Sequence, residues 1–571
     1  MRRAALIAAA ALLLGAAGAW LLLRGGAGTL GESAALIAQG GEEQLRDPLR
    51  PIRGGARVLL VALDGVGDDA LRTALGAGRL PALAALLGER VDEDRWRSGY
   101  AASDVLAILP STTMAAWATA YTGHPPARTG VAGNEWFARE TRTYWAPGPV
   151  SVTGHAHTLS IYTDGLLGQA IAVPTLFERA GLRSAVTLAP VFRGADLLAV
   201  AGLEDLAELL GGMAEGLTGD EPVERELYAE VDRAGVEKTL ELMEAHGAAD
   251  LQVVYFPGVD LYTHAADAPL AAQQRYLAEV VDPALEQLLD AYRAAGILDS
   301  TWVVVTADHG HTPVLRDDRH ALGFEGEDEP PEVLRRAGFR VRPGTLDSDD
   351  ESFQATVAYQ GAFGYLYLAD RSTCPGEEDR CDWSRPPRRE EDLLPVARAF
   401  RAASDHGAGV PELRGTLDLV LIRTTGDDGG ATLEVVEEDV VRPLADWLAA
   451  NPRPELLRLE ERLAGLVDGP LGHHAGDVLL LTRTGEERPL EERFYFSGPY
   501  HSWHGSPYAQ DSRIPLLVAR RGVSGADIGA RVRAVLGSDP GQEDLTPLVL
   551  ELLEVVEGAP RAARTPAPTP R

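Results

Sequence analysis

Val58-Leu-Leu-Val-Ala-Leu63 is a continuous apolar run that ends directly on Asp64. Two further runs, Leu251-Gln-Val-Val-Tyr-Phe-Pro257 and Thr301-Trp-Val-Val-Val-Thr-Ala307, are followed within three residues by Asp260 and Asp308. Apolar runs of this length are typical of parallel strands that are covered on both faces. Ligands of such sheets bind at the carboxyl ends of the strands, where these carboxylates lie. The sequence therefore predicts a parallel sheet with a polar site along one edge.

Strand and helix patterns alternate from Arg57 to about Gly323. The predicted strands are 58–63, 184–189, 251–256 and 301–306, and the predicted helices are 80–87, 223–245 and 273–295. This alternation predicts an α/β fold with a doubly wound, mostly parallel sheet and helices on both faces. The following segment is rich in Asp, Glu, Arg and Pro and contains short strand-like runs at 364–368 and 418–422. We interpret it as a large inserted α+β subdomain.

Changes in composition and in strand and helix pattern divide the chain into six predicted parts. They are an N-terminal membrane anchor or signal peptide (1–24), a linker (25–56), the first part of the catalytic core (57–324), an insertion or cap subdomain (325–476), the second part of the core (477–558) and a disordered Pro-rich tail (559–571). The second part of the core is expected to begin with the strand Asp477-Val-Leu-Leu-Leu-Thr482.

The N-terminus indicates export. Met1-Arg2-Arg3 precedes Ala4–Leu23, which is 20 residues long and uncharged. Such a run can cross a bilayer as one helix with its basic end in the cytoplasm. A cleaved signal peptide is the main alternative, and a buried core helix is the third. We expect a cell-envelope protein whose catalytic part is periplasmic, either anchored to the membrane through this helix alone or exported after cleavage.

The overall charge restricts the partners. The 571 residues carry a net charge of −32, and Lys238 is the only lysine. So acidic a protein is not expected to bind nucleic-acid duplexes or anionic lipid surfaces. An anionic substrate must be attracted locally, by bound cations or by arginine. The sequence contains no signal for a protein partner.

Two cysteines, Cys374 and Cys381, flank a turn-rich segment. Outside the cytoplasm a disulfide between them is expected. Two free thiols are the alternative if the chain is not exported.

A nucleophile is suggested by Pro110-Ser-Thr-Thr113, which precedes an Ala-rich helical segment. Thr113 at the helix start would meet unpaired backbone N–H groups that favour a bound phosphate. The helix dipole contributes only about 1 kcal/mol, too little to ionise an alcohol. A divalent metal can lower the pKa of bound water from near 16 to about 7. A nucleophilic Thr113 therefore requires a metal; the alternative is an ordinary N-cap.

Acidic and histidine side chains in strand-end or loop positions could bind that metal. The candidate ligands are Asp64, Thr113, Asp260, His264, Asp308, His309 and His504. Two divalent cations would balance three aspartates and an alkoxide, which leaves a nearly neutral pocket for a diester. The mixed His/Asp set favours zinc, with manganese or iron as alternatives. Any one histidine could equally be a core or surface residue; His311 and His501 are candidates for holding a ligand in place.

These motifs resemble the alkaline phosphatase superfamily, most closely its nucleotide pyrophosphatase/phosphodiesterase (type I phosphodiesterase) branch. The matching positions are Asp64-Gly65, Pro110 to Thr113, Thr122-Gly123, Pro126, Gly130, Asn134, Asp260 with His264, Asp308-His309-Gly310 and His504-Gly505. They cover 57–320 and 477–520. The sequence departs from the usual pattern of this family at three places: Met114-Ala115-Ala116 after the nucleophile, Thr263 before His264 and Ser506 after Gly505. These leave the metal ligands intact and the nucleotide preference open.

The resemblance implies an alkaline-phosphatase-like fold and two zinc ions. By that resemblance Asp260, His264 and His504 bind one ion, and Asp64, Asp308 and His309 bind the other. Thr113 would lie beside both as the catalytic nucleophile, and the amide of Asn134 would bind a phosphate oxygen.

The expected function is hydrolysis of phosphodiester or phosphoanhydride bonds in small phosphate esters or nucleotides, through a phospho-threonine intermediate. The alternative is a phosphomonoesterase or phosphonate hydrolase of the same superfamily, with Arg128 and Arg142 as candidate extra charges. Trp136, Tyr262 and Trp503 flank the motifs and would bind substrate, unless they are ordinary core aromatics. A non-catalytic binding protein on this fold would lack one or more of the ligands, and none is missing.

Overall fold

The computed structural model describes residues 42–148, 156–163, 165–200, 225–323, 329–342, 351–425, 430–438 and 440–555. The predicted N-terminal anchor or signal (1–24) and the predicted Pro-rich tail (559–571) lie outside the described residues. Within the described ranges, no helix is both long enough and apolar enough to cross a membrane.

The strands are numbered in chain order over the described residues. They are β1 Glu42–Gln44, β2 Arg57–Leu63, β3 Arg95–Trp96, β4 Gly99–Ala102, β5 Trp136–Ala138, β6 Thr143–Trp145, β7 Ser184–Thr187, β8 Leu197–Ala199, β9 Leu251–Phe256, β10 Thr301–Ala307, β11 Thr312–Pro313, β12 Ala321–Leu322, β13 Ala355–Gln360, β14 Phe363–Leu368, β15 Leu417–Thr425, β16 Ala431–Val436, β17 Val441–Pro443, β18 Val478–Thr482, β19 Tyr495–Phe496, β20 Ser502–Trp503 and β21 Leu516–Ala519.

The α-helices are numbered in the same way. They are α1 Asp68–Gly76, α2 Pro81–Leu87, α3 Thr113–Ala120, α4 Pro126–Thr129, α5 Ala156–Thr163, α6 Leu166–Ala170, α7 Leu176–Ala180, α8 Arg225–His246, α9 Gly258–Ala265, α10 Pro269–Tyr276, α11 Asp282–Ala294, α12 Glu329–Arg336, α13 Leu394–His406, α14 Leu444–Ala450, α15 Leu459–Val467, α16 Ala509–Ser512, α17 Gly525–Leu536 and α18 Leu545–Leu552. The predicted helix 273–295 is divided, because a π-helical turn at Leu277–Val281 separates α10 from α11.

The main sheet has nine strands in the order β1-β8-β7-β9-β2-β10-β21-β4-β3. Strands β8, β7, β9, β2 and β10 are parallel to one another, whereas β1, β21 and β3 are antiparallel to their neighbours. Residues 58–63 are at most 1% exposed, so both faces of β2 are covered. The predicted α/β fold with a mostly parallel sheet is confirmed.

The register of the central strands positions the site. In β2, Leu63 is opposite Phe256 of β9 on one side and Ala307 of β10 on the other. Three adjacent parallel strands therefore end at the same level. The residues that follow them meet at one edge of the sheet, as the sequence predicts.

A second sheet of six antiparallel strands has the order β13-β14-β18-β15-β16-β17. Its strand β18 begins the segment predicted as the second part of the core, and it pairs with β14 and β15 of this second sheet. A short buried run predicts a strand but does not specify its sheet. A smaller difference concerns the predicted linker 25–56, where Glu42–Gln44 forms the edge strand β1 of the main sheet. Of the two alternatives for the cysteines, the structure has the disulfide between Cys374 and Cys381.

Candidate metal centre

The seven candidate metal-binding residues lie around the edge where β9, β2 and β10 end. Asp64 follows β2, the pair Asp308-His309 follows β10, and Asp260 and His264 lie on α9, which begins two residues after β9 ends. Thr113 is the first residue of α3, and His504 directly follows β20. All seven residues are at most 4% exposed. Side chains that are up to 440 positions apart in sequence are thus brought together in the protein interior.

Asp64, Asp308 and His309 form the first group, with potential ligand atoms within 4.8 Å of one another. The Nε2 atom of His309 is 3.6 Å from Oδ1 of Asp64 and 3.5 Å from Oδ2 of Asp308. The hydroxyl oxygen of Thr113 is 3.2 Å from the same nitrogen. The nucleophile candidate therefore faces the centre of this group.

The second group is formed by Asp260, His264 and His504, whose potential ligand atoms also lie within 4.8 Å of one another. Nε2 of His264 is 3.4 Å from Oδ2 of Asp260. The rings of His504 and His309 are stacked, with 3.6 Å between their centroids, so the two groups are in direct contact.

The histidines are held in one tautomer by backbone carbonyl groups. Nδ1 of His264 is 2.7 Å from the Ser502 carbonyl oxygen, Nδ1 of His309 is 3.0 Å from that of Gly310, and Nδ1 of His504 is 2.9 Å from that of Ser111. A carbonyl oxygen only accepts hydrogen bonds, so each Nδ1 carries the proton. In a neutral ring this leaves the Nε2 lone pair free for a metal.

Four of the buried ligand atoms have no hydrogen-bond partner in the part of the chain that the structure describes. They are Oδ1 of Asp64, Oδ2 of Asp308 and Nε2 of His264 and His504. The other oxygen of each aspartate is bonded: Asp308 Oδ1 accepts from the amides of Gly65 and His309, and Asp64 Oδ2 accepts from the Tyr255 hydroxyl. Buried polar atoms are normally paired. In Asp64 and Asp308, one oxygen is fixed by hydrogen bonds and the other has no hydrogen-bond partner among the described residues. The second oxygen of each is therefore available to bind a metal.

Three buried carboxylates lie close together at the site, which makes their negative charges unfavourable. Burial raises the pKa of Asp64 well above its usual value, and repulsion from Asp308 and Asp260 adds to the effect. Burial also raises the pKa of Asp308. For Asp260, burial acts in the same direction, but His264 and His311 outweigh it and lower the pKa. The pocket therefore stabilises positive charge, as divalent cations would supply.

Gly65 is required by both conformation and space. Its φ is +66°, and a Cβ atom there would lie 2.4 Å from Asp260 Oδ1 and 2.6 Å from His311 Nε2. We expect Gly65→Ala to lose at least about tenfold in kcat/KM and in metal affinity, because the added atom displaces Asp260. Gly78→Ala is the matched control, with φ +70° and nothing within 4 Å. Both variants carry the left-handed backbone cost of about 1–2 kcal/mol, so equal activity of the two would contradict the prediction.

Asn134 lies beside the nucleophile helix. Its side-chain Oδ1 accepts a hydrogen bond of 3.0 Å from the backbone N–H of Met114, and its backbone N–H donates to Oε1 of Gln360 at 2.7 Å. Gln360 is the last residue of β13, so the second sheet supports the active-site edge. Because Oδ1 is committed to Met114, the Nδ2 group of Asn134 remains available as a donor to substrate.

The predicted substrate-binding aromatics differ in position. Trp503 packs edge-on against His264, with 4.7 Å between ring centroids, and therefore borders the centre. Trp136 is instead stacked on Trp145, and Tyr262 packs between Tyr228 and Tyr276. These contacts are those of core aromatics.

His311 and His501 are the two histidines that the sequence suggested as supports for a metal ligand. Nε2 of His311 donates to Asp260 Oδ1 at 2.7 Å, and its Nδ1 is 3.1 Å from the Ser502 hydroxyl oxygen. Nε2 of His501 lies 3.2 Å from Oδ1 of Asp267. Sequence reasoning missed Tyr255 and Gln360. A hydroxyl in the otherwise apolar run 251–256 was the available signal for Tyr255, whereas nothing local indicates Gln360.

Comparison with known proteins agrees with these motifs. Residues 58–329, just under half of the chain, match the family model described as type I phosphodiesterase / nucleotide pyrophosphatase. No curated protein sequence matches the chain significantly.

Solved structures align over 89% of the chain. Murine ectonucleotide pyrophosphatase / phosphodiesterase 5, an inactive variant in complex with AMP, has 13% identity and a TM-score of 0.48 over 97% of its own length. The human protein of the same name has 13% identity and a TM-score of 0.47 over 97% of its length. Phosphonoacetate hydrolase from Sinorhizobium meliloti in complex with phosphonoformate has 17% identity and a TM-score of 0.43 over 100% of its length. The family match confirms the resemblance inferred from the motifs: residues 58–329 match the type I phosphodiesterase / nucleotide pyrophosphatase model, which supports a phosphodiester hydrolase.

Proposed function

We propose that this protein hydrolyses phosphodiester or phosphoanhydride bonds in small phosphate esters or nucleotides, through phosphorylation of Thr113 at a site for two divalent cations. The observation that carries the proposal is the 3.2 Å approach of the Thr113 hydroxyl to His309 Nε2, within a buried set of aspartates and histidines that have uncompensated ligand atoms.

Asp64, Asp308 and His309 would hold one cation, and Asp260, His264 and His504 would hold the other. The nitrogen and oxygen donors favour zinc, with manganese or iron as alternatives. Bound there, the cations would lower the pKa of the Thr113 hydroxyl and offset the charge that develops on the phosphoryl oxygens.

In this proposal Thr113 is the nucleophile and Asn134 binds the phosphoryl group. The Thr113 hydroxyl gives its proton to solvent water and its oxygen attacks phosphorus. The bond from phosphorus to the leaving oxygen breaks, and that oxygen leaves with the electron pair and takes a proton from water. Water then attacks the phospho-threonine and restores the hydroxyl. The Nδ2 group of Asn134 would bind one non-bridging oxygen throughout, which leaves space for the second substituent of a diester.

Thymidine 5′-p-nitrophenyl phosphate and p-nitrophenyl phosphate test the choice of substrate. We expect kcat/KM for the diester to exceed that for the monoester by at least about tenfold, since a monoester carries an additional negative charge that the site must balance. Arg142, a candidate for that role, is already paired with Glu351 at 3.2 Å. Faster hydrolysis of the monoester, or of a phosphonate, would contradict the proposal and favour the alternative activity.

We also propose that residues 1–24 direct the catalytic part out of the cytoplasm, as an anchor or a cleaved signal. The uncharged run Ala4–Leu23 and the Cys374–Cys381 disulfide support this location, because disulfides persist in oxidising compartments. Recovery of the active protein with its thiols reduced in the cytoplasmic fraction would contradict it.

A further inference from the structure

Outside the candidate metal centre, Glu140 lies between two adjacent histidines. The Nε2 atom of His473 is 3.0 Å from Glu140 Oε2, and Nε2 of His474 is 2.8 Å from Glu140 Oε1. Glu140 lies two residues after β5, and both histidines lie on the 3-10 turn Gly472–Ala475 that precedes β18. The three side chains therefore connect the segment that carries Asn134 to the second sheet.

The protonation of His474 is constrained by a backbone group. Its Nδ1 is 2.6 Å from the carbonyl oxygen of Gly130, which only accepts, so Nδ1 carries a proton. In the neutral ring the Nε2 lone pair would then face a carboxylate oxygen at 2.8 Å, which is repulsive without a positive charge between them. Either a second proton or a cation must supply that charge. The His474 side chain is only 8% exposed, where an imidazolium is poorly solvated.

The arrangement at His474 resembles that of His264 in the candidate metal centre. Nδ1 of His264 is likewise bonded to a backbone carbonyl, and its Nε2 faces a carboxylate. The rings of His473 and His474 are inclined by 77° with centroids 4.8 Å apart, so their Nε2 atoms approach Glu140 from different directions. All the potential ligand atoms lie within 4.8 Å of one another.

The donor set suits zinc. Zinc accepts two imidazole nitrogens and a carboxylate at about 2.0–2.2 Å, with water as a fourth ligand. Tetrahedral ligands at that bond length are about 3.3 Å apart, a few tenths of an ångström more than the present contacts. The Glu140 side chain is 47% exposed and can move outward by that amount, and the open side admits the water.

We propose that Glu140, His473 and His474 form an additional zinc site, separate from the two-cation site of the proposed function. Its role is to stabilise the attachment of the second sheet to the Asn134 segment, because binding energy at a site formed by two segments opposes their separation. A buried ion pair between Arg139 and Asp477 joins the same two segments.

The test is a zinc titration of the full-length protein, with bound metal counted after dialysis against Zn²⁺ alone. We expect the double variant E140Q/H473N to bind one zinc equivalent fewer than the wild type, with turnover unchanged within about twofold. Zinc should also raise Tm less in the variant. The measured quantity is the difference in bound zinc between the wild type and the variant. It does not depend on turnover, so it remains informative even if the catalytic proposal fails.

His406 and Glu438 provide the matched control. They form an exposed histidine–glutamate contact of 3.8 Å without a second histidine, and H406N/E438Q should retain the wild-type zinc content. H473N alone serves if the double variant folds poorly, because His473 is 31% exposed. Equal zinc content in the wild type and the E140Q/H473N or H473N variants would overturn the proposal and leave a proton-mediated ion pair only.

Discussion

Thr113→Ala should lower kcat/KM by at least about 10³-fold and leave the metal content of the protein unchanged. The variant loses the one hydroxyl that faces His309 Nε2, at 3.2 Å. The neighbouring Ser111 hydroxyl cannot replace it, because it donates to the carbonyl oxygen of Ser506. Residual activity would come from direct attack by activated water. Steady-state kinetics with the thymidine diester and metal analysis of the same sample measure both quantities.

Thr119→Ala is the appropriate control for this variant. Thr119 lies on the same helix α3, is fully buried, and its hydroxyl has no partner among the residues described. The substitution makes the same chemical change without touching the centre and should retain wild-type turnover. Acid quenching during turnover of the thymidine diester should also trap a thymidine 5′-phosphoryl group on Thr113 of the wild type. Full activity of metal-loaded Thr113→Ala would remove Thr113 from the mechanism.

Removal of the metal should have the second large effect. We expect chelation to reduce turnover to background and to lower Tm by the order of 10 °C. A ligand at 1,000 times its Kd stabilises the folded state by about 4 kcal/mol, and about 2–4 °C accompany each kcal/mol in domains of 150–250 residues. In the metal-free protein the buried Asp64, Asp260 and Asp308 repel one another, and burial adds to the cost of their charges.

Readdition of zinc should restore both turnover and Tm. A chelated sample that retains less than about a tenth of an equivalent of metal, yet keeps its turnover, would contradict the metal requirement. Asp64→Asn gives an independent check, because it removes one charge of the first group and should bind one cation at least about tenfold more weakly. Asn at this position preserves the size of the side chain.

The central strands could be predicted closely because each is an unbroken apolar run. Strand β9 has the predicted limits, and β2 and β10 each extend one residue further. Strand β7 ends at Thr187, two residues before its predicted end, because Leu188 adopts a left-handed conformation with φ +58°. A local sequence pattern indicates which residues are buried and with what hydrophobic periodicity, but it does not indicate where the backbone turns.

The site was partly predictable for the same reason. Asp64 and Asp308 follow strands that end at one level, so the fold class alone brings them together. The support given by Gln360 to Asn134 depends on the docking of the second sheet, 226 residues further along the chain, for which the sequence has no local signal. The same holds for strand β18, whose pairing partners have no local sequence signal because partner choice is a tertiary property.

The position of β21 has a consequence for biogenesis. This strand enters the main sheet between β10 and β4, and His504 arrives on the same late stretch of chain. Until the ribosome has passed residue 519, two inner strands expose unpaired edges of the kind that promote aggregation. A nascent chain must therefore remain protected for most of its synthesis, and at the proposed two-cation site cation binding would be the closing step of maturation.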